Sequence, residues 1–327
     1  MKKFLSLLIA ALLILGLAAC GEKKEAEPSE PASEPEAKVF NIGVCQLVQH
    51  PALDAATQGF EEAVKAGLGD DAVVNIQNAS GDSAVCSTII NGFVSGGCDL
   101  IMANATPALQ AAAAATDSIP ILGTSITEYG TALEIENFSG TVGGNISGTS
   151  DLAPLDEQAA MVKEWFPDAK TVGLVFCTAE ANSRYQVNVV KAELEALGFT
   201  ATEFGFTDSN DLAAVVQNAC SSCDVLYIPT DNTCANNAES IANIAIPAKT
   251  PIIAGEENLC AGCGIATLSI SYYDIGFKTG EMAVQILKGE ADISQMPVAY
   301  APQFVKKFNK DMCEALGIEP LEGYEAI

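Results

Sequence analysis

Apolar and polar positions along most of this chain alternate between two periods. Short runs of β-branched and aliphatic residues mark strands. Longer stretches with apolar residues every three or four positions mark amphipathic helices. Strands are expected at 40–47, 72–77, 99–103, 120–122 and 140–147, with helices at 51–66, 83–95 and 107–116 between them. The series restarts with helix 155–165, strand 171–176, helix 182–197, strand 201–206, helix 211–219, strand 225–228, helix 234–248 and strand 251–254. Strand 266–270, helix 274–287, an extended stretch at 298–308 and helix 310–316 complete it. Strands spaced by helices imply βαβ units and parallel sheets covered on both faces. Runs such as Val172-Gly173-Leu174-Val175-Phe176 do not alternate, which suits doubly buried strands. The restart near residue 150 predicts an α/β fold of two Rossmann-like lobes with parallel sheets.

The first residues break this pattern. Met1-Lys2-Lys3 is a basic head, 4–17 is almost wholly apolar, and Leu17-Ala18-Ala19-Cys20 follows. Such an arrangement is a secretory signal, and the apolar run is short for a membrane span. Leu-Ala-Ala-Cys also resembles the lipobox of bacterial lipoproteins. That resemblance implies removal of residues 1–19, a lipid on Cys20 and an extracytoplasmic protein anchored to the cell membrane. Residues 20–38 then form a disordered acidic tether, because Glu, Pro and Ala dominate and little apolar surface is available to bury. The formal charge is −26, so the basic footprint that nucleic-acid binding requires is missing.

Ligands of open parallel sheets sit beyond the carboxyl ends of the strands. Here those ends are dense in small polar residues, including Gln46, His50, Asn104, Thr106, Ser125, Ser150, Asp151, Asn182, Ser183, Thr230 and Asn232. Some of these are helix caps; Thr106 before Pro107 reads as an N-cap followed by an N1 proline. Acids are present as Asp54, Asp151, Glu180, Asp231, Glu256 and Glu257, whereas Arg184 is the one nearby base. A phosphate site would recruit Lys or Arg. An acidic cleft rich in hydroxyls and helix N-termini suits an amino acid, whose ammonium meets acids and whose carboxylate meets amides. Tyr129, Tyr185, Tyr272 and Tyr273 are available to pack against a ring. The enzyme alternative is thin: His50 is the sole histidine, no G-x-S-x-G element occurs, and the Gly143–Gly148 stretch lacks a phosphate-loop ending. No catalytic residue, cofactor or metal site is therefore assigned.

Cysteines are the least ordinary feature. With Cys20 set aside, ten of the eleven remain, among them Cys220-Ser-Ser-Cys223 and Cys260-Ala-Gly-Cys263. Disulfides or plain thiols are the favoured reading. A four-thiolate zinc site and a redox pair are the alternatives. Cys45 and Cys177 fall inside expected strands and read as core residues.

The order of motifs adds a specific resemblance. Gln-x-x-x-His-Pro-Ala-Leu-Asp at 46–54, Asn-Ala-Thr-Pro-Ala at 104–108 and Gly-Thr-Ser-Asp-Leu-x-Pro at 148–154 are followed by Glu-Ala-Asn-Ser at 180–183, Thr-Asp-Asn-Thr at 230–233 and Gly-Glu-Glu at 255–257. Together they resemble substrate-binding lipoproteins of ABC importers, in the branch that takes up tryptophan and tyrosine. The resemblance implies a type I periplasmic-binding fold with a three-crossing hinge. Lobe 1 would hold 39–148 plus about 269–299, and lobe 2 would hold 149–268 plus about 300–327. It implies an aromatic amino acid as ligand, ABC permease subunits as partners, a lipid anchor as the sole membrane contact and a monomeric protein. A sensor on the same fold is the alternative role. The implied ligand-binding residues are Gln46, Asn104, Thr106, Ser150, Asp151, Glu180, Asn182, Ser183, Asp231, Asn232 and Glu256. In that scheme Thr106 meets the ligand carboxylate, and Asp231, with Glu256 or Glu180, takes the ammonium.

Overall fold

A computed structural model describes residues 38–327. The signal, lipidation and tether expectations for the chain before Lys38 lie outside the described residues. No helix among the described residues is long and apolar enough to cross a membrane.

The chain begins with β1 (Phe40–Gln46), α1 (Pro51–Leu68), β2 (Ala72–Asn78), α2 (Ser83–Ser95), β3 (Leu100–Asn104), α3 (Thr106–Ala115), β4 (Ile121–Ile126), α4 (Tyr129–Ala132) and β5 (Ile146–Ser150). It continues with α5 (Leu155–Trp165), β6 (Thr171–Cys177), α6 (Ala181–Ala196), β7 (Thr200–Phe206), α7 (Ser209–Ser222), β8 (Val225–Ile228), α8 (Asn232–Asn236), α9 (Ala238–Ala248), β9 (Ile252–Ala254), α10 (Glu257–Cys263) and β10 (Ala266–Ser269). It ends with α11 (Tyr272–Leu287), β11 (Ala299–Tyr300), β12 (Val305–Phe308), α12 (Lys310–Leu316) and β13 (Glu325–Ala326).

One sheet has the order β2-β1-β3-β4-β5-β11 and is parallel throughout. The other runs β7-β6-β8-β9-β10-β12-β13, with β10 and β12 its antiparallel pair. Strands β3 and β4 are buried at every position, as both-face coverage demands. The chain passes between the sheets at 151–154, at 270–271 and at 301–304, because α11 and β11 return to the first sheet and β12 leaves it again. This is the two-lobed α/β periplasmic-binding-protein fold.

Helix α1 starts at Pro51, whose missing N–H is harmless at a first helical turn, and buries Ala52, Leu53, Ala56, Phe60 and Val64. Burying Phe60 completely contributes about 2 kcal/mol. Its partner is α11, and the two backbones approach so closely that a Cβ on Gly276 would collide with the Ala56 carbonyl. A small apolar cluster of Ala52, Ala56, Ile270, Tyr272 and Ile275 binds this helix pair to the second crossing.

Several expectations need correction. The strand expected at 140–147 forms only from Ile146, because Gly140, Gly143 and Gly144 all adopt positive φ and turn the chain. The helix expected at 234–248 is two helices, α8 and α9, broken at Asn237, whose side-chain amide donates to Thr233 O at 2.8 Å. Helix α10 lacks an apolar period and escaped the pattern; the Glu256 side chain nucleates it by accepting from the amides of Asn258 and Leu259. Thr106 is not an N-cap. It is already helical, and Ala105 before it, at φ 89, makes no side-chain cap.

Candidate functional site

The carboxyl ends of both sheets face each other, and a small cavity lies between them. His50 and Leu53 of the α1 start, Ser125 near the end of β4, Thr127 after it, and Asp151 of the first crossing form one wall. Asn182, Thr230, Asp231, Asn232, Ala235 and Glu256 form the other, and Tyr272 of the second crossing closes the floor. The cavity measures about 10 Å³, room for one water at most. Larger hollows flank it: about 580 Å³ beside the second and third crossings, and about 190 Å³ toward Ser80 and Asp208.

Chemistry separates the three. Among the described residues, seven buried side-chain polar atoms have no hydrogen-bond partner. His50 Nδ1, Ser125 Oγ, Asp151 Oδ1 and Asn182 Oδ1 all line the small cavity, and neither larger hollow has any. A buried unpaired polar group costs roughly 1–3 kcal/mol, so four converging on one spot mark a place built for a polar guest.

Local structure aims these atoms. The β4–β5 register shifts between Gly123 and Ile126, a bulge that holds Ser125 at φ 55 and turns its hydroxyl into the cavity. Tyr129 closes the bulge from beneath, its hydroxyl 3.1 Å from both Gly123 O and Thr149 O. Asp151 receives the Tyr272 hydroxyl at 2.9 Å on Oδ2, which leaves Oδ1 free. His50 Nε2 lies 3.4 Å from Asn232 Oδ1, a link between the lobes.

Three carboxyls of the cavity are buried: Asp151, Asp231 and Glu256. Burial is the main cause that raises all three above the usual carboxylate range, to about 7 for Asp231 and about 7 for Glu256. The neighbouring Glu180 charge adds to the rise at Asp231, and backbone amides oppose it. Burial also lowers the pKa of His50. No Lys or Arg lines the cavity, and no ion pair among the described residues includes these acids.

Of the residues nominated from sequence, Asp151, Asn182, Asp231, Asn232 and Glu256 line the cavity. Asp231 accepts from the amides of Cys177 at 2.7 Å and Cys234 at 2.8 Å, so both of its oxygens are engaged. Glu180 lies in the 190 Å³ hollow and accepts from the amides and side chains of Asn232 and Thr233. Gln46 and Asn104 do not reach the cavity. Thr57 donates to Gln46 Oε1 at 2.7 Å, and Asn104 Nδ2 donates to Leu53 O at 2.8 Å and Thr57 Oγ1 at 3.0 Å. They fix the start of α1, and through it His50 and Leu53. Ser150 donates to Thr127 O at 2.9 Å and accepts from Leu152 N, which shapes the first crossing. Thr106 and Ser183 are buried outside the cavity. His50, Ser125, Thr230 and Tyr272 carried partial sequence signals at strand ends or as aromatics. Leu53, Thr127 and Ala235 carried none.

The ten cysteines of the described residues are free thiols, and no group of three or more His, Cys, Asp or Glu among those residues could hold a metal ion. Cys260 and Cys263 lie a turn apart on α10, whereas Cys220 and Cys223 end α7.

Residues 41–323 match the family model described as ABC transporter substrate binding protein. A curated relative from Clostridioides difficile (strain R20291), named tyrosine-binding protein, is 34% identical over 98% of this chain and 94% of its own length. The structure of an ABC domain in complex with L-Trp from Streptococcus pneumonia is similar at a TM-score of 0.84 and 31% identity, covering 89% of this chain and 100% of that one. The ligand-free, open structure of a substrate binding protein with adhesive properties from Clostridium difficile gives a TM-score of 0.67 at 37% identity, covering 88% and 99%. The overall similarity is thus higher to the L-Trp complex than to the open protein, although sequence identity runs the other way.

Proposed function

We propose that this chain, which belongs to the ABC transporter substrate binding protein family, captures an aromatic amino acid between its lobes and delivers it to an importer. The observation that carries the reading is Asp151 Oδ1, a buried carboxylate oxygen without a partner, beside two more buried carboxyls and no Lys or Arg. An ammonium group supplies the missing charge and the missing donors together. In this reading the free acceptors Asp151 Oδ1 and Asn182 Oδ1 take the ammonium. The Ser125 hydroxyl donates to the carboxylate, and His50 Nδ1, an acceptor while Nε2–H faces Asn232 Oδ1, joins the ammonium site. The names of the relatives, one tyrosine-binding and one bound to L-Trp, support a ring-bearing side chain.

A cavity of about 10 Å³ admits no such molecule. The ligand therefore enters while the lobes are apart, and closure gathers the polar wall around it. Leu53, Ala235 and Tyr272 are the apolar surfaces at hand for the side chain. The protein acts outside the cytoplasm, held near its permease by a lipid on Cys20. Binding without catalysis accords with a family defined by substrate capture.

Isothermal titration of protein first unfolded and refolded to strip co-purified ligand, against the twenty amino acids in turn, tests this. Tyrosine, tryptophan or phenylalanine should give the tightest binding. Heat from none of the twenty overturns the amino-acid reading.

A further inference from the structure

Two of the three connections between the lobes are tied together at the floor of the cavity. Asp151 opens the first crossing, directly after β5; Tyr272 ends the second, as the first residue of α11. The Tyr272 hydroxyl donates to Asp151 Oδ2 at 2.9 Å, and both side chains are buried. The Tyr272 ring is fixed among Ala52, Ala56, Ile270 and Ile275. Asp151 Oδ1, the other oxygen of the same carboxylate, points free into the cavity.

We propose that Tyr272 is a positioning residue for ligand capture, orienting the Asp151 carboxylate toward the guest ammonium. The inference rests on the amino-acid reading above. A carboxylate that accepts a fixed hydroxyl on one oxygen loses rotational freedom, so its second oxygen is presented without further ordering cost. The donor and the acceptor belong to different crossings but are both anchored on the first lobe, by α11 and β5, so the free oxygen is held in place before the lobes close.

The same bond favours the ionised form of Asp151, which burial disfavours. The titratable groups facing this carboxylate are Tyr129 from α4, Tyr272 from α11 and Glu256 from the β9–α10 junction, with His50 and Asp231 lining the same cavity. Thr127 lines the same cavity. Loss of the Tyr272 donor leaves Asp151 easier to protonate, so ammonium binding should require a higher pH.

The test is Tyr272→Phe, which keeps the ring and removes only the hydroxyl, with L-tyrosine and L-tryptophan titrated from pH 5.5 to 8.5. Affinity should fall about tenfold at the acid end, and the gap to the unchanged protein should narrow as pH rises. A circular-dichroism melt checks that Tyr272→Phe is folded. If it is not, Asp151→Asn, which should bind more weakly and lose the Asp151 share of the pH dependence while keeping that of Asp231 and Glu256, reads the same contact through the other partner. An affinity gap constant with pH, or no gap, overturns the positioning role while leaving amino-acid binding intact. Failure of the unchanged protein to bind any amino acid overturns both.

Discussion

The two walls of the cavity use acids in opposite ways. On the second lobe, Glu180 and Asp231 meet at the start of α8, and Glu256 caps α10. Each spends its oxygens on backbone amides. On the other wall, Asp151 spends one oxygen on Tyr272 and keeps one free, while Ser125 and His50 also present unpaired atoms. Acids that look alike in sequence thus divide into those that build helix ends and one that awaits a guest. Proximity to a cleft does not separate them; the count of satisfied lone pairs does.

The largest expected effect tests that division. Asp151→Asn should weaken aromatic amino-acid binding by about a hundredfold or more. Its melting temperature should not fall, since burial already disfavours the charge and an amide oxygen still accepts from Tyr272. Calorimetry paired with a thermal melt checks both. Ser125→Gly comes next: losing the hydroxyl should cost about tenfold in affinity. Stability should hold or rise, because φ 55 suits glycine better than serine. On the other wall the pattern should invert. Asp231→Ala should lower the melting temperature by about 2–4 °C through loss of a cap, with a smaller loss of affinity than Asp151→Asn. Equal affinity losses at 151 and 231 would erase the distinction.

The smallest effect is a pH dependence. Asp231 and Glu256 are raised to about 7 in the folded protein, against about 4 in an unfolded chain. Between those values the folded state holds more protons than the unfolded one, so stability falls as pH rises. The ligand-free protein should melt higher at pH 5 than at pH 8. An ammonium-bearing ligand should restore more of the difference at pH 8, where Asp231 and Glu256 are ionised. Differential scanning calorimetry at both pH values measures this, and a thermal shift by ligand that shrinks from pH 5 to pH 8 would contradict it.

Sequence reading reached the architecture because doubly buried strands such as β3 and β6 are largely continuous apolar runs, and α1 and α11 carry clear helical periods. It failed where structure depends on one side chain rather than on a pattern. Helix α10 exists because Glu256 caps it, and the glycines at 140, 143 and 144 replace an expected strand by turns. Strand ends rich in small polar residues marked the face on which the small cavity lies. They could not rank its members. Gln46 and Asn104 point back to hold α1, and Ser125 enters the site only because a β-bulge rotates it there. Orphaned atoms are a property of three-dimensional bookkeeping, and no spacing in the chain encodes them.

The central claim is that buried carboxylates without a counter-ion select an ammonium group. Titration of the refolded protein with L-tryptophan and with indole-3-propionate, which keeps the ring and carboxylate but lacks the amine, tests it most directly. The account predicts binding of L-tryptophan and none detectable for the amine-free analogue. Equal affinity for the two would contradict it.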